Sequence, residues 1–376
     1  MTLITYLNRV HFADGVLEEA LRSELEHNRR RRPLIIVESQ HVSGALADRF
    51  FASFPIRTLA ESFVEVPAIP TEAAAIRIAD RYRETDRDHL VAFGGNRAID
   101  LAKVARIAIA YDEPLAALSS AEGGTQRIGQ DLPDLYAVPG ISGFASAVSH
   151  YARVKVASGR QVLIASRHLI PTVTICDPTL TLGSTAAESA SAASGAISRG
   201  VEAFLSRGYN PPADGLALDG VARTVSHLSR AIVDDDLVAR REMMAGSLNS
   251  ALSLQKGVCV VHAITNALAS VTDVPIDPSA VGRLIVPHLI RFYGPSVADK
   301  LPTLRRAFAM DDSVDVADGI DAFLADLPLP NSLRDMGLDD DDIAQAARVA
   351  VLDRAMGTSP RKLEMHDIER ILHRVR

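Results

Sequence analysis

Two domains of different texture are predicted: an α/β domain with a parallel sheet over residues 1–182, then an all-helical domain over residues 183–376. Three observations carry that expectation. Short β-branched runs alternate with helix-spaced segments through the first half, and such alternation makes a parallel sheet covered on both faces. After Asp177-Pro178 the texture changes: Ala, Leu and charged residues recur at helical spacing, broken by Pro and Gly rather than by strands. The 376 residues, 47% hydrophobic and 23% charged, suffice for two packed cores and exclude a disordered chain, a collagen-like rod and a disulfide-stapled miniprotein.

In chain order, Val16–Leu25 is amphipathic, and Arg29-Arg30-Arg31-Arg32, the only basic cluster, reads as the solvated C-terminal end of that helix. Pro33–Glu38 is a buried strand and Val42–Phe51 the helix after it. Thr71–Arg83 is an amphipathic helix, followed by the strand His89–Phe93 and the helix Ala98–Ala110. Leu135–Val138 and Val173–Cys176 complete the buried strands. Tyr151–Ala165, with Ser158-Gly159 at its centre, reads as a β-hairpin inserted into that sheet. The second domain shows helices at Ala186–Ser206, Gly215–Val233, Leu237–Leu254, Gly257–Ser270, Ser279–Tyr293 and Ile343–Met356. The acidic stretch Asp339–Asp342 suits the start of a helix. A cleft between the two domains is the expected ligand site.

Forty Lys and Arg against 47 Asp and Glu give a net charge of −7, which argues against nucleic acid as a partner. Cys176 and Cys259 are too few for a disulfide framework or a thiolate zinc site and read as small core residues. There is no apolar run of about 18 residues, and the N-terminus lacks the basic-then-apolar order of a signal peptide. A cytoplasmic protein without membrane contact is expected.

The chemistry-bearing segments follow strands. Leu90–Lys103 is a strand, a Gly94-Gly95 turn and a helix start, which aims free backbone N–H groups at an anion. A second turn, Val138-Pro139-Gly140-Ile141-Ser142-Gly143, follows another strand, and two such turns on one sheet edge point to a dinucleotide site. Gly94-Gly95 with Asp100, Ala102 and Lys103, then Pro139 with Gly143 and Ser146, then Asp177-Pro178 with Leu180-Thr181, occur in an order and spacing that resemble the iron-containing (group III) alcohol dehydrogenases, within the dehydroquinate synthase-like superfold. The resemblance runs nearly end to end, through Pro171, Glu202, His262, Pro287-His288 and Ser359-Pro360-Arg361. It implies a Rossmann-like first domain, an interdomain active site, a homodimer and NAD binding by Glu38, Gly94, Gly95, Asn96, Asp100, Lys103, Gly140 and Ser142. Glu38 falls where the family places an acid near the adenosine ribose, which favours NAD(H) over NADP(H); a solvated strand-end glutamate is the other reading.

Departures from that family pattern are as informative. The family holds a divalent metal with one Asp and three His. Aligned through Glu202, the Asp position is Gly195, the first His position is Arg199, His262 remains, and the last position is Ile276. One imidazole beside a guanidinium cannot hold Fe²⁺ or Zn²⁺, so no metal is expected. A further family His is Asn266, which cannot exchange a proton near neutral pH. The family's third glycine is Asn96, the Ser after it is Arg97, and its Thr-rich turn is Gly140–Phe144.

The expected catalytic pair is therefore Arg199, stabilising a developing alkoxide or holding a carboxylate, and His262 as acid/base. A structural ion pair of Arg199 with Glu202 or Asp277 stands beside that reading, as does a packed helix His for His262. The similarity extends in part to the maleylacetate reductases, which reduce an anionic oxo-acid without a metal. Three functions stay open at this stage. The first is a metal-independent NAD(H)-linked oxidoreductase for a small anionic carbonyl or alcohol. The others are a repurposed lyase or isomerase on the same scaffold, and a non-catalytic family member.

Overall fold

A computed structural model describes residues 8–257 and 260–376; Cys259 lies outside the described residues. The chain divides into two compact units, one ending at Leu182 and the next beginning at Gly183. The first contains, in order, β1 (Arg9–Phe12), α1 (Leu17–His27), β2 (Pro33–Val37), α2 (Ala45–Ala52), β3 (Glu61–Phe63), α3 (Glu72–Glu84), β4 (His89–Gly94), α4 (Asn96–Ala110), β5 (Leu135–Pro139), α5 (Phe144–Val148), β6 (Tyr151–Lys155), β7 (Gln161–Ala165) and β8 (Val173–Cys176).

Six strands form one sheet in the order β1-β8-β5-β4-β2-β3, every neighbouring pair parallel. Strand side chains alternate, so each buried strand feeds two cores. Leu34, Ile36, Leu90, Ala92 and Leu135 pack with Ala74, Ile78 and Leu101 of α3 and α4 on one face. Ile35, Val37, Val91, Phe93 and Tyr136 pack with Leu21 and Phe50 of α1 and α2 on the other. The chain steps one way from β2 to β3 and the other way from β4 to β5, leaving a switch point at the carboxyl ends of β2 and β4, where such sheets bind ligands. Cys176 is buried at the end of β8, and burial pushes its thiol well above the usual range, as befits a core residue.

Two features differ from the sequence-based expectation. The hairpin β6–β7 is not inserted into the main sheet; it is a separate antiparallel pair with Lys155 opposite Gln161. Its Ala152, Val154 and Ile164 dock into the core shared with α3 and α4, and Lys155 N–H donates to Pro70 O at 2.8 Å. The edge strands β1 and β3 lack the continuous burial of the inner strands and so carry no apolar run to announce them.

The second unit contains α6 (Ala186–Leu205), α7 (Pro211–Val233), α8 (Leu237–Ser253), α9 (Val260–Val271), α10 (Pro278–Tyr293), α11 (Leu301–Ala307), α12 (Val316–Ala325), α13 (Asp340–Ala350) and α14 (Met365–Arg374). Thr185 and Glu188 form a capping box at α6, Asp277 caps α10, and Asp339 with Asp342 closes the start of α13, which explains the acidic stretch there. Ile197, Val201, Val221, Ile264, Val281 and Ile285 belong to one core. Among the described residues no helix is long and apolar enough to cross a membrane.

Candidate active-site elements

The two glycine turns meet at the carboxyl ends of adjacent strands. Gly94 is opposite Pro139 in the β4–β5 register, and Gly140 N–H donates to Gly94 O at 3.3 Å. Gly143 has φ +105°, and a Cβ there would lie 2.8 Å from Gly94 O, so only glycine lets the second turn seat on the first. A Cβ on Gly95 would lie 2.8 Å from Ser142 Oγ and 3.3 Å from Glu38 Oε1, so only glycine leaves the narrow cradle that these two side chains line between the turns. Asn96 Oδ1 accepts from Ser146 N–H at 3.3 Å and ties α5 to the first turn. The first-turn N–H groups of α4 have no acceptor within the helix. Those free N–H groups and the Ser142 hydroxyl are donors of the kind a phosphate takes, while the Glu38 carboxylate at the same turn is not.

Glu38 closes the switch point from the β2 side. It is only 4% exposed, and its Oε1 accepts from Gly95 N–H at 3.2 Å. Its Oε2 pairs with the Arg97 guanidinium and accepts from Gln40 Nε2 at 3.2 Å. The sequence signalled the acid but not its partner, 59 residues away.

In the helical unit, Arg199 lies one turn after Gly195 on α6, and the two share a face. A Cβ on Gly195 would fall 2.9 Å from Arg199 Nη1 and 2.7 Å from Ser279 Oγ at the start of α10. The guanidinium thus covers the space that a side chain at position 195 would fill. Close helix approach permits this: a Cβ on Gly282 of α10 would meet Ser198 Oγ at 2.3 Å, and Ser194 Oγ donates to Ser279 O at 2.7 Å. Asp277 accepts from Ser279 N–H at 2.9 Å and Ser191 Oγ at 3.1 Å. Glu202, next on the same helix, is buried and caps α9, accepting from Val261 N–H at 2.7 Å and from the His262 N–H. Burial pushes its carboxyl up to about 8 in spite of these bonds. Half-buried His262 sits in the first turn of α9, and Asn266, one turn on, donates to Asp353 Oδ2 at 3.1 Å.

Family models cover both units: the iron-containing alcohol dehydrogenase model matches residues 8–178, and the C-terminal model of the same family matches residues 190–375. The chain belongs to the iron-containing alcohol dehydrogenase family. It is 35% identical to a 4-hydroxybutyrate dehydrogenase of Cupriavidus necator, over 99% of both chains. The fold matches a sulfoacetaldehyde reductase of Bifidobacterium kashiwanohense solved with NAD⁺ (TM-score 0.86, 20% identity, 100% of this chain and 98% of that one). It also matches a maleylacetate reductase of Agrobacterium tumefaciens (TM-score 0.80, 20% identity, 100% and 98%). The chain is an oxidoreductase of this family.

Within this iron-containing alcohol dehydrogenase frame, the donor set does not fit a divalent metal. The four ligand positions hold a glycine, a guanidinium, one imidazole and an isoleucine, with the guanidinium over the glycine. Among the described residues no group of three or more His, Cys, Asp or Glu is placed to hold an ion.

Three cofactor expectations need correction. Lys103 is fully buried, and its ammonium donates to Ser149 O at 2.8 Å, Ser149 Oγ at 3.0 Å and Tyr151 O at 3.0 Å. All three N–H groups are used, so it anchors the chain beyond the second turn instead of touching a cofactor. Asp100 is buried beside Ser146, and burial raises its carboxyl above the usual range although Lys103 opposes this. Glu38, with both oxygens engaged, supports the first turn and is not the open ribose acceptor expected. Gly94, Gly95, Asn96, Gly140 and Ser142 do come together.

Proposed function

We propose that this chain is a metal-independent, NAD(H)-linked oxidoreductase that interconverts a short hydroxy acid and its aldehyde or oxo form. The observation that carries the reading is the Arg199 guanidinium over Gly195, at the two positions where the family's first two metal ligands fall. A fixed cation there does the electrostatic work of a Lewis acid without proton bookkeeping, because it donates hydrogen bonds to the oxygen on which charge develops. The extensive likeness to a 4-hydroxybutyrate dehydrogenase supports a substrate bearing a carboxylate. NAD(H), when bound, accepts or supplies the hydride. The free N–H groups at the α4 N-terminus and the Ser142 hydroxyl hold its phosphates, beside Gly95 and Gly140, whose own N–H groups are spent on Glu38 and Gly94. In the oxidation direction the hydroxyl proton leaves through His262 Nδ1 or Nε2, while Arg199 stabilises the alkoxide until the C–H bond breaks.

The test is turnover of 4-oxobutanoate with NADH after exhaustive chelation. Activity that survives chelation and falls about 10²–10³-fold in Arg199→Ala, with unchanged circular dichroism, is expected. Activity that vanishes with chelator and returns with Fe²⁺ or Zn²⁺ overturns the reading. A second reading, a non-redox enzyme on the same scaffold, draws support from Glu38, whose oxygens are engaged by Gly95 and Arg97. It predicts no thermal stabilisation by NADH.

A further inference from the structure

At the end of the sheet opposite the glycine turns, a cavity of about 340 Å³ is lined by Arg9, Arg106, Asp134, Arg167, His168 and Thr172, among others. These residues precede or begin β1, β5 and β8 or lie on the later part of α4. Arg106 is the unusual member. It is 4% exposed, and two of its five N–H groups are spent on backbone carbonyls: Nε donates to Pro133 O at 2.6 Å and Nη1 to Leu169 O at 3.4 Å. Among the described residues it has no carboxylate partner. The one acid lining the cavity, Asp134, is taken by Arg30 Nη2 at 2.6 Å and by Thr172 Oγ1 at 3.2 Å.

A guanidinium this buried is costly when no carboxylate bonds it directly: burial pushes its pKa down to about 10 against the opposing pull of the Asp134 charge. Two further arginines face the same cavity. Arg9 shares its charge with Glu24 at 2.9 Å, whereas exposed Arg167 has no carboxylate partner among the described residues and donates to the neighbouring His168 ring at 3.2 Å. His168 feels the result: burial first, then the charges of Arg167 and Arg106, hold its imidazole below the usual value against the pull of Asp131. A clamp joining two loops would need the backbone bonds of Arg106 but neither the cavity nor the extra cations.

We propose that this cavity is a binding site for a small dianionic oxyanion, a phosphate or a dicarboxylate, with Arg106 as the buried anchor and Arg167 and His168 at the rim. The site is independent of the dinucleotide turns. Asn96 and Arg106 are ten residues apart on α4, about 15 Å along the axis. Calorimetric titration of the full chain with inorganic phosphate, and separately with succinate, in chloride-free buffer at low ionic strength tests it. One saturable site is expected, retained at saturating NADH, weakened about tenfold by Arg167→Ala and lost in Arg106→Met. The NMR titration midpoint of His168, assigned through His168→Gln, moves up when the anion binds. Tighter phosphate identifies a phosphorylated ligand and tighter succinate a dicarboxylate. No saturable binding of either anion, affinity unchanged by Arg167→Ala, or displacement by NADH overturns the proposal. Because Arg106 also bonds Pro133 and Leu169, the exposed Arg167 decides the outcome if Arg106→Met does not fold.

Discussion

At Gly195 a single methyl group separates stability from function. Alanine inside a helix is worth about 1 kcal/mol over glycine. The atoms it would strike, Arg199 Nη1 at 2.9 Å and Ser279 Oγ at 2.7 Å, are the ends of side chains that can rotate. Gly195→Ala should therefore melt at or slightly above the wild-type temperature, yet lose about tenfold or more in kcat as the guanidinium is displaced. Wild-type turnover in that variant would mean that the seat of Arg199 is not functional. Glu202 offers a pH probe. Its folded-state pKa of about 8 lies above the ordinary carboxyl value, so between the two the folded protein binds more protons and stability falls as pH rises. Glu202→Gln should remove that slope, read as urea-unfolding free energies at pH 5.5 and 8.5. The placing of Arg199 against Gly195 was legible at this scale because Gly195, Arg199 and Glu202 are fixed by helical spacing. Ser279 was not, since its contact joins helices whose crossing no local pattern specifies. The Arg97–Glu38 pair escaped for the same reason.

At the scale of elements, α4 couples the first turn to the chain beyond the second. Lys103 reaches from its buried face to Ser149 and to Tyr151 at the start of β6, and Lys103→Met would remove the ammonium donor from Ser149 O, Ser149 Oγ and Tyr151 O, leaving Tyr151 O only the Ser149 hydroxyl among these contacts. A loss of about 2–4 kcal/mol is expected by urea denaturation. Burial holds the Lys103 ammonium down to about 7, below its unfolded value, so the unfolded chain binds more protons and stability should rise with pH from about 7 towards 10.5. That rise should be absent in the variant. The buried strands β2, β4, β5 and β8 were legible because both their faces are apolar. The edge strands β1 and β3 were not, since half-buried strands of three or four residues carry too few positions for a pattern. The hairpin was legible as a hairpin, but its docking was not: alternation marks an apolar face without saying what it covers. The short helices α11, α12 and α14 fell below the length at which periodicity is persuasive, although Asp315 caps α12 where the sequence could have signalled it.

For the whole molecule, a ligand that binds only the folded chain must raise its melting temperature, and this separates the two cofactors. At one hundred times its Kd a ligand contributes about 2.7 kcal/mol. If Arg199 permanently supplies the charge that a metal brings elsewhere, dialysis against EDTA should leave the melting temperature where it was. Millimolar Fe²⁺ or Zn²⁺ should then fail to raise it, because a divalent ion would have to displace a guanidinium and find ligands where Gly195 and Ile276 offer none. NADH should raise it through the cradle at Gly95 and Ser142, and Gly95→Val, which fills that cradle, should abolish the rise while metal insensitivity is unchanged. Calorimetry with and without each additive, paired with elemental analysis, reads both halves at once. Stoichiometric iron or zinc whose removal lowers the melting temperature would mean that a donor set other than the family's four positions holds an ion. Arg199 would then be a structural cation, and the metal-free chemistry would have no basis.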